Sequence, residues 1–157
     1  MSRTIRTTAI DQTVINKPAH QVAALPWRLA GPGIEIMLAT SRETKRWVTL
    51  KGWPMPGRSA AQSASREAFE EAGVKGSVTA QAIGEFSYAK RLDDGRVIDL
   101  RVDVYALRVR QQLADWPERG ERVIRWFHPN EAARLVAEPE LASLIKSFAA
   151  GGFMRCA

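Results

Sequence analysis

A glycine-containing loop followed by an acidic helix constrains this chain more than any other part of its sequence. The loop runs from Gly52 to Arg58, and the segment after it predicts a helix that carries Glu67, Glu70 and Glu71. Because these glutamates are three and four positions apart, their side chains share one helical face. At a separation of about 5–6 Å and an effective dielectric of about 20, each pair of carboxylates repels by about 3 kcal/mol.

A hard divalent cation would turn this repulsion into attraction. Clustered carboxylate oxygens, completed by phosphate oxygens, are the ligands that Mg²⁺ and Mn²⁺ prefer. The acidic face therefore predicts metal-assisted chemistry on a phosphate compound.

The same segment resembles the Nudix box, the signature G-x5-E-x7-R-E-U-x-E-E-x-G-U, in which U is a bulky aliphatic residue. A long match with fixed spacing is much more specific than an isolated glycine motif. The matching residues are Gly52, Arg66, Glu67, Glu70, Glu71, Gly73 and Val74. Two positions depart from the signature: Arg58 replaces its first glutamate, and the small Ala68 replaces its aliphatic residue.

Further segments resemble the diphosphoinositol polyphosphate phosphohydrolase branch of the Nudix superfamily. They are Lys51-Gly52, the run from Glu70 to Gly76, Trp116, and Arg125-Trp126-Phe127. The resemblance covers roughly residues 21–148. It implies an α/β (α+β) fold, the Nudix-type α/β/α sandwich with a mixed β-sheet.

The length of 157 residues predicts one domain. We expect an N-terminal arm at residues 1–19, a Nudix hydrolase domain at 20–150 and a C-terminal tail at 151–157. A single cysteine, Cys156, excludes an internal disulfide framework. Nothing resembles a signal peptide, and no apolar run approaches the roughly 20 residues that span a bilayer. We expect a cytoplasmic protein, a monomer or homodimer, without a membrane partner.

The secondary-structure pattern agrees with the implied sandwich. Residues 21–29 predict a strand that Pro26 limits to an edge or a bulge. Residues 34–39 predict its hairpin partner, and 47–50, 78–86, 97–109 and 123–127 predict further strands. The central helix begins near Ser59 with a capping box and ends at Gly73, and its alanines lie opposite the three glutamates. Helices at residues 129–136 and 138–148 follow.

The resemblance implies roles for the residues of the box. Glu67, Glu70 and Glu71, with the backbone carbonyl of Gly52, would hold Mg²⁺ or Mn²⁺. Arg66 would pair with Glu70, although an ordinary surface ion pair explains the same spacing. Either Glu71 or Glu67 would accept the proton of the attacking water. Some Nudix branches place this base on a later loop, where the candidates are Glu118 and Glu121.

Basic residues near the glycine loop predict a cationic rim that binds polyphosphate. Arginine can grip a phosphate group with two hydrogen bonds. The candidates are Lys51, Arg58, Arg46, Lys90, Arg91 and Arg96. Arg58 either binds substrate phosphate or marks weakened catalysis. The net charge of +6 favours polyanionic ligands, although it also serves solubility.

Together these features predict a metal-dependent hydrolase of a diphosphate linkage in a diphosphoinositol polyphosphate or a dinucleoside polyphosphate. One alternative is a pyrophosphohydrolase of nucleotides or of the 5′ end of RNA, so that a nucleic-acid partner stays open but is not favoured. Another is a non-catalytic Nudix module that binds a phosphorylated ligand. Arg58 favours the module, whereas the intact acidic face argues against it.

Overall fold

A computed structural model describes residues 19–156 of the chain. The predicted N-terminal arm, residues 1–19, lies outside this range except for its last residue. Eight strands form one sheet: β1 Ala19–Ala30, β2 Gly33–Thr40, β3 Trp47–Val48, β4 Leu50–Gly52, β5 Val74–Val78, β6 Gly84–Arg91, β7 Val97–Gln112 and β8 Ile124–Phe127. The helices are α1 Ala60–Ala72, α2 Pro129–Leu135 and α3 Pro139–Ala149, followed by a 3₁₀ turn at Gly152–Cys156.

The sheet is built around a parallel pair, β1 and β7, which align from Ala19 opposite Leu100 to Trp27 opposite Arg108. All other strand pairs in the described residues are antiparallel: β2 and β4 pair with β1, β5 and β6 with β7, and β3 and β8 with β2. The sheet is therefore mixed, as predicted.

Both faces of the sheet are covered by helices because side chains alternate along its central strands. On β1, Leu25 and Trp27 point into a core closed by α2 and α3, whereas Val22 and Ala24 point into a core closed by α1. The α/β/α sandwich is thus confirmed. The 3₁₀ turn adds Phe153 to the first core, 5.7 Å from Trp27 between ring centroids.

The prediction that Pro26 confines its strand to an edge or a bulge is wrong, since β1 has neighbours on both sides. The register explains the exception. On the antiparallel side, β4 pairs with residues 22–24 and β2 with residues 27–30, so Pro26 lies between its two partners. The missing N–H of proline costs no ladder hydrogen bond on that side.

The single strand predicted at residues 78–86 is also wrong. Both β5 and β6 pair with β7, where Val78 lies opposite Leu107 and Gly84 opposite Val104. The five residues 79–83 therefore lie opposite only two positions of β7, 105 and 106. They cannot all pair with β7, so some of them form a loop. The chain forms two strands with a connecting loop in place of one.

Helix α1 forms where local signals predict it. Ser59 and Gln62 make a reciprocal capping box at its start, and Gly73 ends it in the left-handed conformation with φ of 69°. Four alanines, at positions 61, 64, 68 and 72, are buried against the sheet. Glu71 does not lie opposite them as predicted. It follows Ala68 by three positions, only about 60° away around the helix, and is 4% exposed.

Gly73 supports a testable prediction about stability. A Cβ at this position would lie 2.5 Å from the ring of Trp116, in addition to the strain of the positive φ. Gly73→Ala should therefore cost roughly 1–3 kcal/mol more in unfolding free energy than the strain alone, because overpacking adds to it. Gly95→Ala is the matched control, since its φ is 88° and nothing lies within 4 Å of its Cβ position. Equal losses for the two variants in urea unfolding would contradict the tight contact.

Candidate active site

A pair of hydrogen-bonded carboxyl groups, those of Glu67 and Glu71, lies at the centre of the candidate site. Helix α1 packs so closely on β4 that a Cβ on Gly52 would overlap the Glu67 carboxyl group. Burial, followed by the hydrogen bond with Glu67, raises the pKa of Glu71 to about 9. Burial also raises the pKa of Glu67. At neutral pH the Glu71 carboxyl group therefore keeps its proton and donates the hydrogen bond to Glu67.

Arg122 faces this pair from a loop that connects β7 to β8. Its Nη2 atom lies 3.5 Å from Glu71 Oε1 and 3.3 Å from Glu118 Oε1, and its side chain is 11% exposed. Glu118 acts on both Glu67 and Glu71 through its negative charge, which helps to raise their pKa values. The site thus contains a third carboxylate and a guanidinium that belong to the loop.

The loop is fastened to the C-terminal end of α1 by three hydrogen bonds. The Leu113 N–H donates to the Gly73 carbonyl at 2.8 Å, and the Glu118 N–H donates to the Glu70 carbonyl at 3.0 Å. The Trp116 ring Nε1–H donates to the Glu71 carbonyl at 3.2 Å. These donors satisfy carbonyl groups that the last turn of a helix leaves unpaired. The loop is therefore positioned by the same helix that carries the acid pair.

Arg66 and Glu70 form the ion pair that the sequence predicted, with Arg66 Nε donating to Glu70 Oε1 at 2.8 Å. Both side chains are partly exposed. The charge of Glu70 also helps to raise the pKa of Glu67, which shows that the two acids are neighbours. The Arg66 guanidinium additionally lies 4.8 Å from the centroid of the Phe69 ring.

Four of the predicted cationic residues, Arg46, Lys51, Lys90 and Arg91, line one groove of about 590 Å³. Lys51 connects this groove to the acid pair. Burial lowers the pKa of Lys51, while the negative charges of Glu138 and Glu71 oppose that change. Its ammonium group lies 5.0 Å from the centroid of the Tyr88 ring.

The other predicted cations lie elsewhere. Arg58 lines a separate depression, together with Arg66, Phe69 and Lys75. Arg96 is exposed in the turn between β6 and β7 and pairs with Asp94 at 2.7 Å. The structure thus brings four of the six predicted cations together and leaves Arg58 and Arg96 apart from them.

The structure also places the two loop candidates for the catalytic base, Glu118 and Glu121, in different surroundings. Glu118 contacts Arg122 and belongs to the acidic cluster. Glu121 pairs with Arg42 at 2.9 Å on the surface, where its side chain is 41% exposed.

The donor set fits a hard divalent cation. Carboxylate oxygens are the ligands that such a cation prefers. When the proton between the Glu67 and Glu71 carboxyl groups leaves, their lone pairs become available to bind it. In the part of the chain that the structure describes, no three His, Cys, Asp or Glu side chains are arranged so that they alone could hold a metal ion. The acid pair would consequently need the Gly52 carbonyl, Glu70, water or substrate oxygens to complete a shell.

Sequence reasoning missed Arg122, which follows the two loop glutamates closely in Glu118-Arg119-Gly120-Glu121-Arg122. A sequence pattern does not separate it from Arg119, whose side chain is 60% exposed. Only the docking of the loop on α1 turns Arg122 inward.

Comparisons with known proteins agree with this architecture. The family model described as NUDIX domain matches residues 19–148. Nudix hydrolase 12, mitochondrial, of Arabidopsis thaliana is 32% identical over 105 residues, which are 65% of this chain and 52% of that protein. Diphosphoinositol polyphosphate phosphohydrolase 3-beta of Bos taurus is 29% identical over 74% of this chain and 70% of that protein. The chain spans about half to two-thirds of the length of the curated relatives that it matches first.

Solved structures with low sequence identity share the fold. A C. elegans Ap4A hydrolase superposes with a TM-score of 0.60 at 20% identity, covering 85% of this chain and 98% of that chain. The E. coli dihydroneopterin triphosphate pyrophosphohydrolase superposes with a TM-score of 0.65 at 15% identity, covering 86% and 99% respectively. Among residues 19–156, no helix has the length and apolar character needed to cross a membrane.

The acid pair predicts how stability depends on pH when divalent metal is removed. Folding raises the pKa of Glu71 from 4.5 to about 9, so the folded state binds more protons than the unfolded state within that window. Its contribution is therefore fully present at pH values below the window and is lost as pH rises through it. In EDTA, the unfolding free energy of Glu71→Gln, which cannot ionise, should fall less with rising pH than that of the wild type.

Urea unfolding across this pH range measures both slopes. Glu121→Gln is the control because Glu121 lies on the surface, and it should keep the slope of the wild type. Indistinguishable slopes for the wild type and Glu71→Gln would contradict the shared proton.

Proposed function

This chain belongs to the Nudix family, and from that premise we propose that it is a hydrolase that cleaves a diphosphate linkage with the help of a divalent metal ion. The substrate class that we favour is a highly anionic polyphosphate, either a diphosphoinositol polyphosphate or a dinucleoside polyphosphate. The observation that carries the proposal is the acid pair of half-buried Glu67 and buried Glu71 beside a groove lined by cationic side chains.

The residues of the box would hold the metal and orient one another. Glu67, Glu70, Glu71 and the Gly52 carbonyl are the groups that would hold Mg²⁺ or Mn²⁺. When bound, such an ion polarises a phosphate group and lowers the pKa of a bound water. Arg66 holds the Glu70 carboxylate through its hydrogen bond, and Glu71 or Glu67 would accept a proton from the attacking water.

The cationic groove would bind the remaining phosphates of the substrate. Lys51 lies directly before Gly52 on β4 and lines the groove. When one phosphate of the substrate is held at the acid pair, its remaining phosphates would extend past Lys51 into the groove. Lys90 and Arg91, on β6, also line the groove. The names of similar proteins fit this substrate class: one Bos taurus relative is named a diphosphoinositol polyphosphate phosphohydrolase, and one C. elegans structural neighbour an Ap4A hydrolase.

A non-catalytic module that binds a phosphorylated ligand is the second candidate. Arg58 in place of the first signature glutamate favours it, and Arg58 lies beside Arg66 and Lys75 rather than in the groove. The retained acid pair argues against it, because a binding module has no need for a buried carboxyl group hydrogen-bonded to a second one. Cleavage of nucleotides or of RNA 5′ ends is the remaining alternative.

A cytoplasmic location remains our expectation. Two Arabidopsis relatives are named Nudix hydrolase 12, mitochondrial, and Nudix hydrolase 21, chloroplastic, so fractionation of the native host is the experiment that tests it.

Hydrolysis of a substrate panel tests the proposed activity. With Mg²⁺ or Mn²⁺, the protein should release phosphate from a diphosphoinositol polyphosphate or a dinucleoside polyphosphate faster than from ADP-ribose, a nucleotide sugar or 5′-triphosphorylated RNA. Glu71→Gln should lower kcat about 100-fold or more, because charge stabilisation in the transition state is lost. Glu121→Gln should retain the activity of the wild type. Binding of these ligands without turnover of any would support the non-catalytic module and contradict the hydrolase.

The groove supports a separate prediction about substrate affinity. Lys90→Gln/Arg91→Gln should raise KM for a polyphosphate substrate about 10-fold with little change in kcat, because binding that is equal in the ground and transition states is lost. It should also reduce the dependence of kcat/KM on salt. The control, Arg110→Gln, removes a cation at the opposite end of β7, which contacts Ser77. An effect of Arg110→Gln as large as that of the double variant would assign the salt dependence to net charge alone.

A further inference from the structure

Arg122 occupies an unusual position for an arginine. Its side chain is 11% exposed, and its Nε atom is buried without a hydrogen-bond partner in the described residues. A buried guanidinium is retained only when carboxylates compensate for its lost hydration. Glu118 and the Glu67–Glu71 acid pair supply this compensation, since Nη2 lies 3.3 Å from Glu118 Oε1 and 3.5 Å from Glu71 Oε1.

The two carboxylates belong to different parts of the fold. Glu71 lies in the last turn of α1, and Glu118 lies in the loop between β7 and β8. Arg122 also belongs to this loop, so its guanidinium forms the side-chain bridge that complements the hydrogen bond from the Glu118 N–H to the Glu70 carbonyl. The backbone bond holds the Glu118 main chain against the helix, whereas the guanidinium holds its carboxylate.

Arg122 contacts acids, and its charge also reaches Lys51 at the start of the groove, whose pKa it helps to lower. Lys90 and Arg91 line open space that a ligand can enter, whereas both contacts of the Arg122 guanidinium are with carboxylates of the acidic cluster. The contacts of Arg122 therefore place it to act on the acids.

We propose that Arg122 is a positioning residue, which bridges Glu71 and Glu118 and thereby holds the Glu118 carboxylate within the acidic cluster as a working part of the site. The proposal rests on the proposed function, since it assigns Glu118 a part in the same hydrolysis. It selects Glu118 over Glu121, whose carboxylate is turned away toward Arg42.

A double-mutant cycle in kcat tests the bridge with the substrate that the wild type cleaves best. Arg122→Gln and Glu118→Gln should each lower kcat about 10–100-fold with KM changed less than about 3-fold. The double variant should be no slower than the slower single variant, because both substitutions remove one unit.

Multiplied losses would show that Arg122 does not act through Glu118. A rise in KM at constant kcat would make Arg122 a substrate-binding residue, and full activity of Glu118→Gln would remove Glu118 from the site; each result overturns the proposal.

A structural readout accompanies the kinetics and uses the metal-free protein. Arg122→Gln should speed hydrogen exchange at the Glu118 amide about 10-fold or more, while amides of β1 keep the protection of the wild type. Arg119→Gln is the matched control from the same loop, since Arg119 pairs with Asp115 at 3.8 Å and points outward. It should change neither the exchange nor kcat. Unchanged exchange in Arg122→Gln would overturn the positioning role.

The two readouts also separate this proposal from the proposed function. If the wild type cleaves nothing in the panel, the hydrolase proposal fails, and with it the claim that Glu118 works in catalysis. The exchange experiment still decides in that case whether Arg122 holds the loop. If Arg122→Gln does not fold, Glu118→Gln is the substitute variant, because it breaks the same bridge at its more exposed end. Exchange is then read at the Leu113 amide, whose hydrogen bond to the Gly73 carbonyl also docks the loop on α1.

Discussion

The close approach of α1 to the sheet is the constraint on which the rest of the site depends. Four alanines on its inner face bring the helix so near to β4 that Gly52 has no room for a side chain beside Glu67. The same approach buries Glu71, which could not stay ionised there without compensation. Ala68, the departure of this chain from a bulky aliphatic residue, is one of the residues that allow it.

The burial creates a charge balance that a cation completes. In the metal-free protein, burial raises the pKa of both Glu67 and Glu71, and Glu118 is paired with Arg122. Glu70 is matched by Arg66. A divalent ion that replaced the proton of Glu71 would supply the positive charge that lets both carboxyl groups ionise.

Local signals in the sequence predicted local structure well and distant contacts poorly. The capping box at Ser59 and the stop at Gly73 were correct because each depends on neighbouring residues. Pro26 and Arg122 were misjudged or missed because their surroundings come from remote segments: the partners of β1 change at Pro26, and Arg122 meets a helix some fifty positions earlier. The spacing of the Nudix box identified the three glutamates, but the proton between Glu67 and Glu71 depends on how α1 packs on the sheet.

The parallel pairing of β1 with β7 has a consequence for how the protein is made. Strand β1 ends at Ala30 and β7 begins at Val97, so the centre of the sheet joins segments that a ribosome synthesises several seconds apart, at about 5–20 residues per second. Until β7 emerges, β1 lacks its parallel neighbour, and the loop that carries Glu118 and Arg122 has not been made. The site therefore assembles late in biosynthesis.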